Sequence, residues 1–171
     1  MMNRERANLE ESLVKAMQAE QEGHYFYMMA AATSTDPKGI EVFKRLAREE
    51  MEHFEFLKSQ YSSLLQHGRL ESEGNLGKPS VLLGPNPIFS DSLRARVDDA
   101  HFEMTALAVG IHLELSAIEF YKNAAMRAAD PAATAFFTAL AEWESTHYHA
   151  LLRQQETLKQ DYWSGAGFAP F

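Results

Sequence analysis

The sequence predicts an all-α protein in which two copies of a helical hairpin form a four-helix bundle. The first observation is an internal repeat: residues 11–60 align without gaps with residues 105–154, and 15 of the 50 aligned residues are identical. The second is a helical spacing of apolar residues, and the third is a segment rich in Gly and Pro between the copies. Because one hairpin cannot bury its own apolar stripe, we expect the two to pack together.

The first hairpin is predicted over about residues 5–66 and contains two helices. In the first helix, Leu13, Ala16 and Tyr27 belong to a stripe with spacings of three, four and seven residues. A break follows, in which Asp36 suits the N-cap and Pro37 suits the first helical position, where its missing N–H costs nothing. The second helix is therefore expected to begin at about residue 37.

The second hairpin is predicted over about residues 99–160, and Asp130 with Pro131 repeats the start signal. Residues 67–97 form a connection long enough to cross from one end of the bundle to the other, and "FSDSLRARV" within it could form a short helical turn. Residues 161–171 lack a helical period and are expected to be irregular. The whole chain, 1–171, is predicted to be a single domain.

Composition narrows the class of function. The net charge of −8 argues against binding nucleic acid, which requires clustered positive charge. The chain contains no cysteine, which excludes thiol nucleophiles, Fe–S clusters and cysteine-type zinc sites within it. No apolar run is long enough for a membrane span and the N-terminus does not read as a signal peptide, so a cytoplasmic protein that does not bind membranes is expected.

Both copies of the repeat carry residues that suit a metal site. The only two Glu-x-x-His motifs, Glu50…His53 and Glu144…His147, are equivalent in the repeat. Residues three apart lie on one helix face, so each pair can reach one point off the helix axis. The other helix of each hairpin supplies one more equivalent acid within an apolar stripe. The candidate metal ligands are Glu20, Glu50, His53, Glu114, Glu144 and His147.

Charge supports a metal at this position. Four carboxylates converging in a bundle core repel one another and are costly to desolvate, and two divalent cations neutralise them. The chain with two such ions carries a net charge of −8 + 4 = −4. Other acids and histidines nearby are expected to lie outside the site, because the repeat does not reproduce them: Glu49, Glu52 and Glu55 as solvated side chains, His24 as a partly buried one, and His112 and His149 on the surface.

This pattern resembles the ferritin-like di-iron carboxylate bundles, in which two helices each give a Glu and two give Glu-x-x-His. The runs E-x-x-x-x-x-F-Y and L-A-x-x-E-x-x-H, present in both copies, are similar to the rubrerythrin branch. The resemblance implies a ferritin-like four-helix bundle in which Glu50 and Glu144 bridge two metals. It places Glu20 and His53 on one metal, Glu114 and His147 on the other, and the outer hydrogen bonds on Tyr27 and Tyr121.

The resemblance also implies a function: an oxidoreductase that reduces peroxide or oxygen at two iron ions, working as a homodimer. Because the chain has no cysteine and hence no cysteine-rich module, an external electron-donor protein is expected. Two departures qualify the resemblance. Rubrerythrins generally carry a further Glu where this chain has Ala117, and typically a cysteine-rich module. Alternatives are a ferroxidase that handles iron, a dimanganese catalase-like enzyme, since oxygen-rich ligands also suit manganese or another divalent metal, and a non-enzymatic bundle stabilised by metal.

Overall fold

The computed structural model describes residues 2–71, 82, 86–97 and 100–165, and in these residues it contains helices and no strand. The helices are α1 (Met2–Thr33), α2 (Pro37–His67), the short α3 (Asp91–Arg94), α4 (His101–Arg127) and α5 (Pro131–Gly165). The expected all-α ferritin-like bundle is thereby confirmed. No described helix combines the length and the apolar character needed to cross a membrane.

The repeated Asp-Pro pair starts the second helix of each hairpin. Helix α2 begins at Pro37, and the Asp36 side chain accepts a hydrogen bond from the Gly39 N–H at 2.9 Å. Helix α5 begins at Pro131, and the Asp130 side chain accepts one from the Ala132 N–H at 3.0 Å. In both cases an aspartate oxygen satisfies an N–H that has no partner inside the helix.

The hairpins are held together by two apolar clusters. Helix α1 packs mainly against α2 and α4 against α5, and α1 also contacts α4. Tyr27, Phe43 and Leu107 belong to one buried cluster, and Leu13, Tyr121 and Phe137 to the other, so each cluster draws on both hairpins. Helices α2 and α5 meet through large side chains, such as the ring pair Phe56 and Phe136. The polar centre described below lies between these apolar layers.

Two equivalent glutamines anchor the crossover between the hairpins. The buried Gln60 side chain accepts a hydrogen bond from the Glu71 N–H at 2.9 Å, near the carboxyl end of α2. The buried Gln154 accepts from the N–H groups of Ile88 and Phe89 at 3.1 and 3.3 Å. The next residue, Ser90, contacts Asp36 at the amino end of α2. The described residues at the two ends of the crossover therefore lie at opposite ends of α2, and α3 is the short helical turn expected in it.

The chain end differs from the sequence prediction in one respect. Residues 161–165, expected to be irregular, continue helix α5. The apolar stripe extends to the buried Leu158, and Asp161 then pairs with Arg94 of α3 through two contacts of 2.6 and 2.9 Å. This bidentate pair fastens the last turns of α5 to the crossover. Residues 166–171 of the expected tail lie outside the described residues.

Candidate metal centre

The six repeated acids and histidines meet in the middle of the bundle. Each long helix contributes polar side chains from its otherwise apolar face: α1 and α4 give one glutamate each, and α2 and α5 give one Glu-x-x-His motif each. All six are at most 4% exposed. Their potential ligand atoms form two groups, each within 4.8 Å: Glu20, Glu50, His53 and Glu144 in one, and Glu50, Glu114, Glu144 and His147 in the other.

The two groups overlap at Glu50 and Glu144. On one side, His53 Nδ1 lies 3.1 Å from Glu20 Oε2 and 3.0 Å from Glu144 Oε1. On the other, His147 Nδ1 lies 3.4 Å from Glu144 Oε2 and 3.6 Å from Glu50 Oε1. Glu144 thus directs one oxygen toward each histidine. This is the arrangement that two neighbouring metal positions with shared carboxylates require.

Several atoms of the cluster have no hydrogen-bond partner among the described residues, although they are fully buried. Glu50 Oε1, both carboxylate oxygens of Glu144 and His147 Nδ1 face one another in the centre, whereas His53 Nε2 is on the other side of a ring whose Nδ1 faces the carboxylates. Glu144 Oε1 is close to His53, yet the angles do not make a hydrogen bond. An unsatisfied buried polar atom is costly, and oxygen and imidazole donors converging on common points suit a divalent cation. The residues present therefore fit a dinuclear metal site.

Two buried tyrosines support the outer glutamates, and each does so across the hairpins. Tyr27 of α1 donates a hydrogen bond to Glu114 Oε1 of α4, and Tyr121 of α4 donates one to Glu20 Oε1 of α1. Burial, together with the neighbouring carboxylates, raises the pKa of both phenols well above the usual value. Both tyrosines therefore stay protonated and act as donors, and the second oxygen of Glu20, Oε2, faces His53 Nδ1 at 3.1 Å.

Without a bound metal, four of the six groups have raised pKa values and therefore keep their protons to a higher pH than usual. Burial raises the pKa of Glu50 well above its usual value, and repulsion from Glu144 and Glu114 adds to this effect. Burial also raises the pKa of Glu114, against the lowering effect of His147. Burial acts against a charged Glu144 too, but the two histidines outweigh it and hold the pKa of Glu144 far below its usual range. Charge is thus distributed unequally over carboxylates that the repeat makes equivalent.

The histidines are the positive partners in this arrangement. Burial alone lowers the pKa of an imidazole, yet the pKa values of His53 and His147 are both raised well above normal. For His53 the dominant opposing cause is Glu144, and for His147 it is the nearby carboxylates of Glu144, Glu49 and Glu50. A metal that binds here must displace these protons.

One further residue at the cluster was missed by the sequence analysis. Glu49 was expected to be solvated, and this is wrong: it is 7% exposed, and its Oε2 lies 2.7 Å from His147 Nε2. Its equivalent in the repeat is Trp143, whose ring lies 4.5 Å from the ring of His53. Both residues face the opposite hairpin because α2 and α5 lie side by side. Only their shared position, directly before the two Glu-x-x-His glutamates, marks them in the sequence.

The other acids and histidines lie away from the centre. Glu52, Glu55, His112 and His149 are exposed, as expected. The partly buried His24 places Nδ1 2.7 Å from the carbonyl oxygen of Ala47, which accounts for its position without a metal.

A cleft between α1 and α4 leads to the cluster. Its cavity of about 240 Å³ is bordered by three of the six residues, namely Glu20, Glu50 and Glu114. Its walls also include Gly23 and Ala117, which are equivalent in the repeat. A Cβ at Gly23 would lie 3.1 Å from Glu50 Oε2, so glycine leaves room for that carboxylate. A larger cavity of about 510 Å³ lies at the end of the bundle and includes none of the six.

Comparison with known proteins agrees with this geometry. The sequence model of the rubrerythrin family matches residues 11–155, which span both hairpins and the crossover. The chain belongs to the rubrerythrin family. Rubrerythrins are ferritin-like di-iron carboxylate proteins, and the buried carboxylate and histidine cluster fits such a metal site. Searches among curated proteins and among solved structures gave no significant match.

Proposed function

We propose that this rubrerythrin-family chain is a di-iron oxidoreductase that reduces hydrogen peroxide or oxygen. The observation that carries the proposal is the pair of overlapping four-residue groups that share Glu50 and Glu144. Two ferrous ions held there can supply the two electrons that, with two protons, convert hydrogen peroxide into two waters. Because this chain contains no cysteine, we expect a separate protein to return the electrons. From its membership of the rubrerythrin family we expect the chain to work as a homodimer.

The side chains have distinct roles in this proposal. Glu50 and Glu144 would hold both metals, Glu20 and His53 would complete one position, and Glu114 and His147 would complete the other. The hydrogen bonds from Tyr27 and Tyr121 fix the orientation of the outer glutamates and join the hairpins around the centre. The surrounding apolar clusters exclude bulk water, which strengthens every charge interaction at the site.

Peroxide assays of variants test the proposal. Protein loaded with Fe(II) is mixed with hydrogen peroxide, and the near-ultraviolet absorbance of ferric iron is followed. We expect a rapid rise that Glu50→Ala and Glu144→Ala each abolish, because either change removes a ligand of both metals. Glu52→Ala, an exposed neighbour on α2, serves as the control and should react normally. An absorbance change that survives both site variants would contradict the proposal.

Measurements on the same purified protein distinguish the proposed oxidoreductase from the alternative functions. Manganese in the protein purified without added metal, together with oxygen evolution from peroxide, would favour a catalase-like enzyme. Mineral formation in a large assembly, detected by light scattering, would favour iron storage. Stable metal binding without any redox turnover would leave a purely structural metal.

The cleft between α1 and α4 is the proposed path of the oxidant. Ala117→Leu is expected to narrow it and to slow the reaction of the ferrous protein with peroxide several-fold, more for bulky cumene hydroperoxide than for hydrogen peroxide. Metal content should not change, because Ala117 is not among the six ligands. Ala108→Leu, at an exposed position on the same helix, is the matched control. Equal rates in stopped-flow measurements of the two variants would place the path elsewhere.

A further inference from the structure

The repeat is broken next to both histidines of the metal centre. The residue before each bridging glutamate is Glu49 in the first copy and Trp143 in the second. Each lies against the histidine of the other hairpin: Glu49 Oε2 is 2.7 Å from His147 Nε2, and the Trp143 ring centre is 4.5 Å from that of His53. His147 therefore contacts a carboxylate, whereas His53 contacts an aromatic ring.

This difference decides what each ring nitrogen can do. When a metal is bound and His147 is neutral, an ionised Glu49 carboxylate accepts the hydrogen on His147 Nε2, which leaves the lone pair of Nδ1 for the metal. That Nδ1 faces Glu144 and Glu50 and has no hydrogen-bond partner among the described residues. For His53, Nε2 is the atom without a partner in the described part of the chain, so no such bond holds its ring.

A carboxylate that accepts the outer N–H of a metal-bound histidine orients the ring and makes the ligating nitrogen more basic. Such an outer partner is typically worth about 10- to 100-fold in metal affinity. His147 has this support from Glu49, whereas His53 packs edge-on against the indole of Trp143. The six-residue ligand set is nearly symmetric, and its surroundings are not.

We propose that the two metal positions differ in affinity, and that Glu49 is the positioning residue that makes the His147 position the stronger. The first metal then binds with Glu50, Glu114, Glu144 and His147, and the second completes the centre at His53. This inference rests on the dinuclear centre proposed above.

Titration of the metal-free protein with Co(II), followed by calorimetry and by the visible absorption of the bound ion, tests the inference. We expect two resolved steps of one metal each. Glu49→Leu should weaken the first by about 10- to 100-fold and leave the second nearly unchanged. Glu49→Gln, which keeps an acceptor but loses the charge, should have a smaller effect, and the exposed Glu52→Gln should have none.

Adding Glu49→Leu to two variants, each lacking one histidine, shows which histidine takes part in the first binding step. In His53→Ala protein the remaining strong step should lose affinity when Glu49→Leu is added, whereas in His147→Ala protein the same addition should change nothing. The isosteric Glu49→Gln variant, checked by circular dichroism, keeps the test valid if Glu49→Leu does not fold. Equal weakening of both steps, or no change in either, would overturn the inference. If the unmodified protein binds no Co(II) at all, that result would instead contradict the dinuclear centre itself.

Discussion

Glu144→Gln and Glu50→Gln are expected to shift the stability of the metal-free protein in opposite directions, although the repeat makes these residues equivalent. Glu144 lies between the two histidines, 3.0 Å from His53 Nδ1 and 3.4 Å from His147 Nδ1. Removing its charge leaves both imidazoles without their main counter-charge. Breaking a buried ion pair from one side costs about 3–5 kcal/mol, and we expect a loss of that order in the free energy of unfolding.

Glu50 should behave in the opposite way. Its pKa is raised, because burial and the charges of Glu144 and Glu114 disfavour the carboxylate. A carboxyl group whose folded pKa is raised reduces stability above its unfolded pKa, whereas one whose folded pKa is lowered, such as Glu144, adds stability there and loses it as the pH falls. Replacing Glu50 by neutral Gln at pH near neutrality should therefore increase the free energy of unfolding.

Both variants should nevertheless lose the dinuclear centre, because each removes a shared ligand. Urea unfolding of chelator-treated protein measures stability, and elemental analysis after reloading measures the metal content. Glu142→Gln, an exposed position on α5, is the control and should alter neither. Shifts of the same sign and size in the two site variants would contradict the unequal distribution of charge, and retention of two metals in either would contradict the shared ligands.

Metal binding should weaken steeply as the pH falls. The pKa values of Glu50, Glu114, His53 and His147 are raised in the metal-free protein, so these groups keep protons to a higher pH than in an unfolded chain. A metal needs the deprotonated forms and must release those protons. The apparent affinity should therefore rise with pH, about tenfold per pH unit for each proton released.

Calorimetry in two buffers of different ionisation enthalpy counts the released protons directly. At neutral pH we expect proton release on Co(II) binding, and a smaller release in His53→Ala protein, which lacks one of the protonated groups. The exposed variant Glu52→Gln should match the unmodified protein. Binding that releases no proton would show that the carboxylates and histidines are already deprotonated without metal.

Much of the architecture can be read from the repeat. The 15 identities between the copies fall on the Asp-Pro start signals, on apolar and aromatic stripe positions, on the glutamine pair that anchors the crossover, and on the six acids and histidines that meet in the centre. Spacing along one helix is enough to place Glu50 and His53 on a common face. Helix ends were less predictable. Helix α5 continues to Gly165 because Asp161 forms an ion pair with Arg94 of α3, a contact that no local sequence pattern indicates.

The sequence by itself determined which helices pair, where α2 and α5 begin, and which six side chains face inward, because all of these follow from periodicity and from chemistry repeated in two copies. Only the tertiary structure decided what surrounds those six. Glu49 and Trp143 are buried because α2 and α5 pack side by side, and Tyr27 and Tyr121 reach glutamates of the opposite hairpin because α1 and α4 do. Periodicity defines a direction around one helix axis, whereas burial and partner depend on which helix lies in that direction.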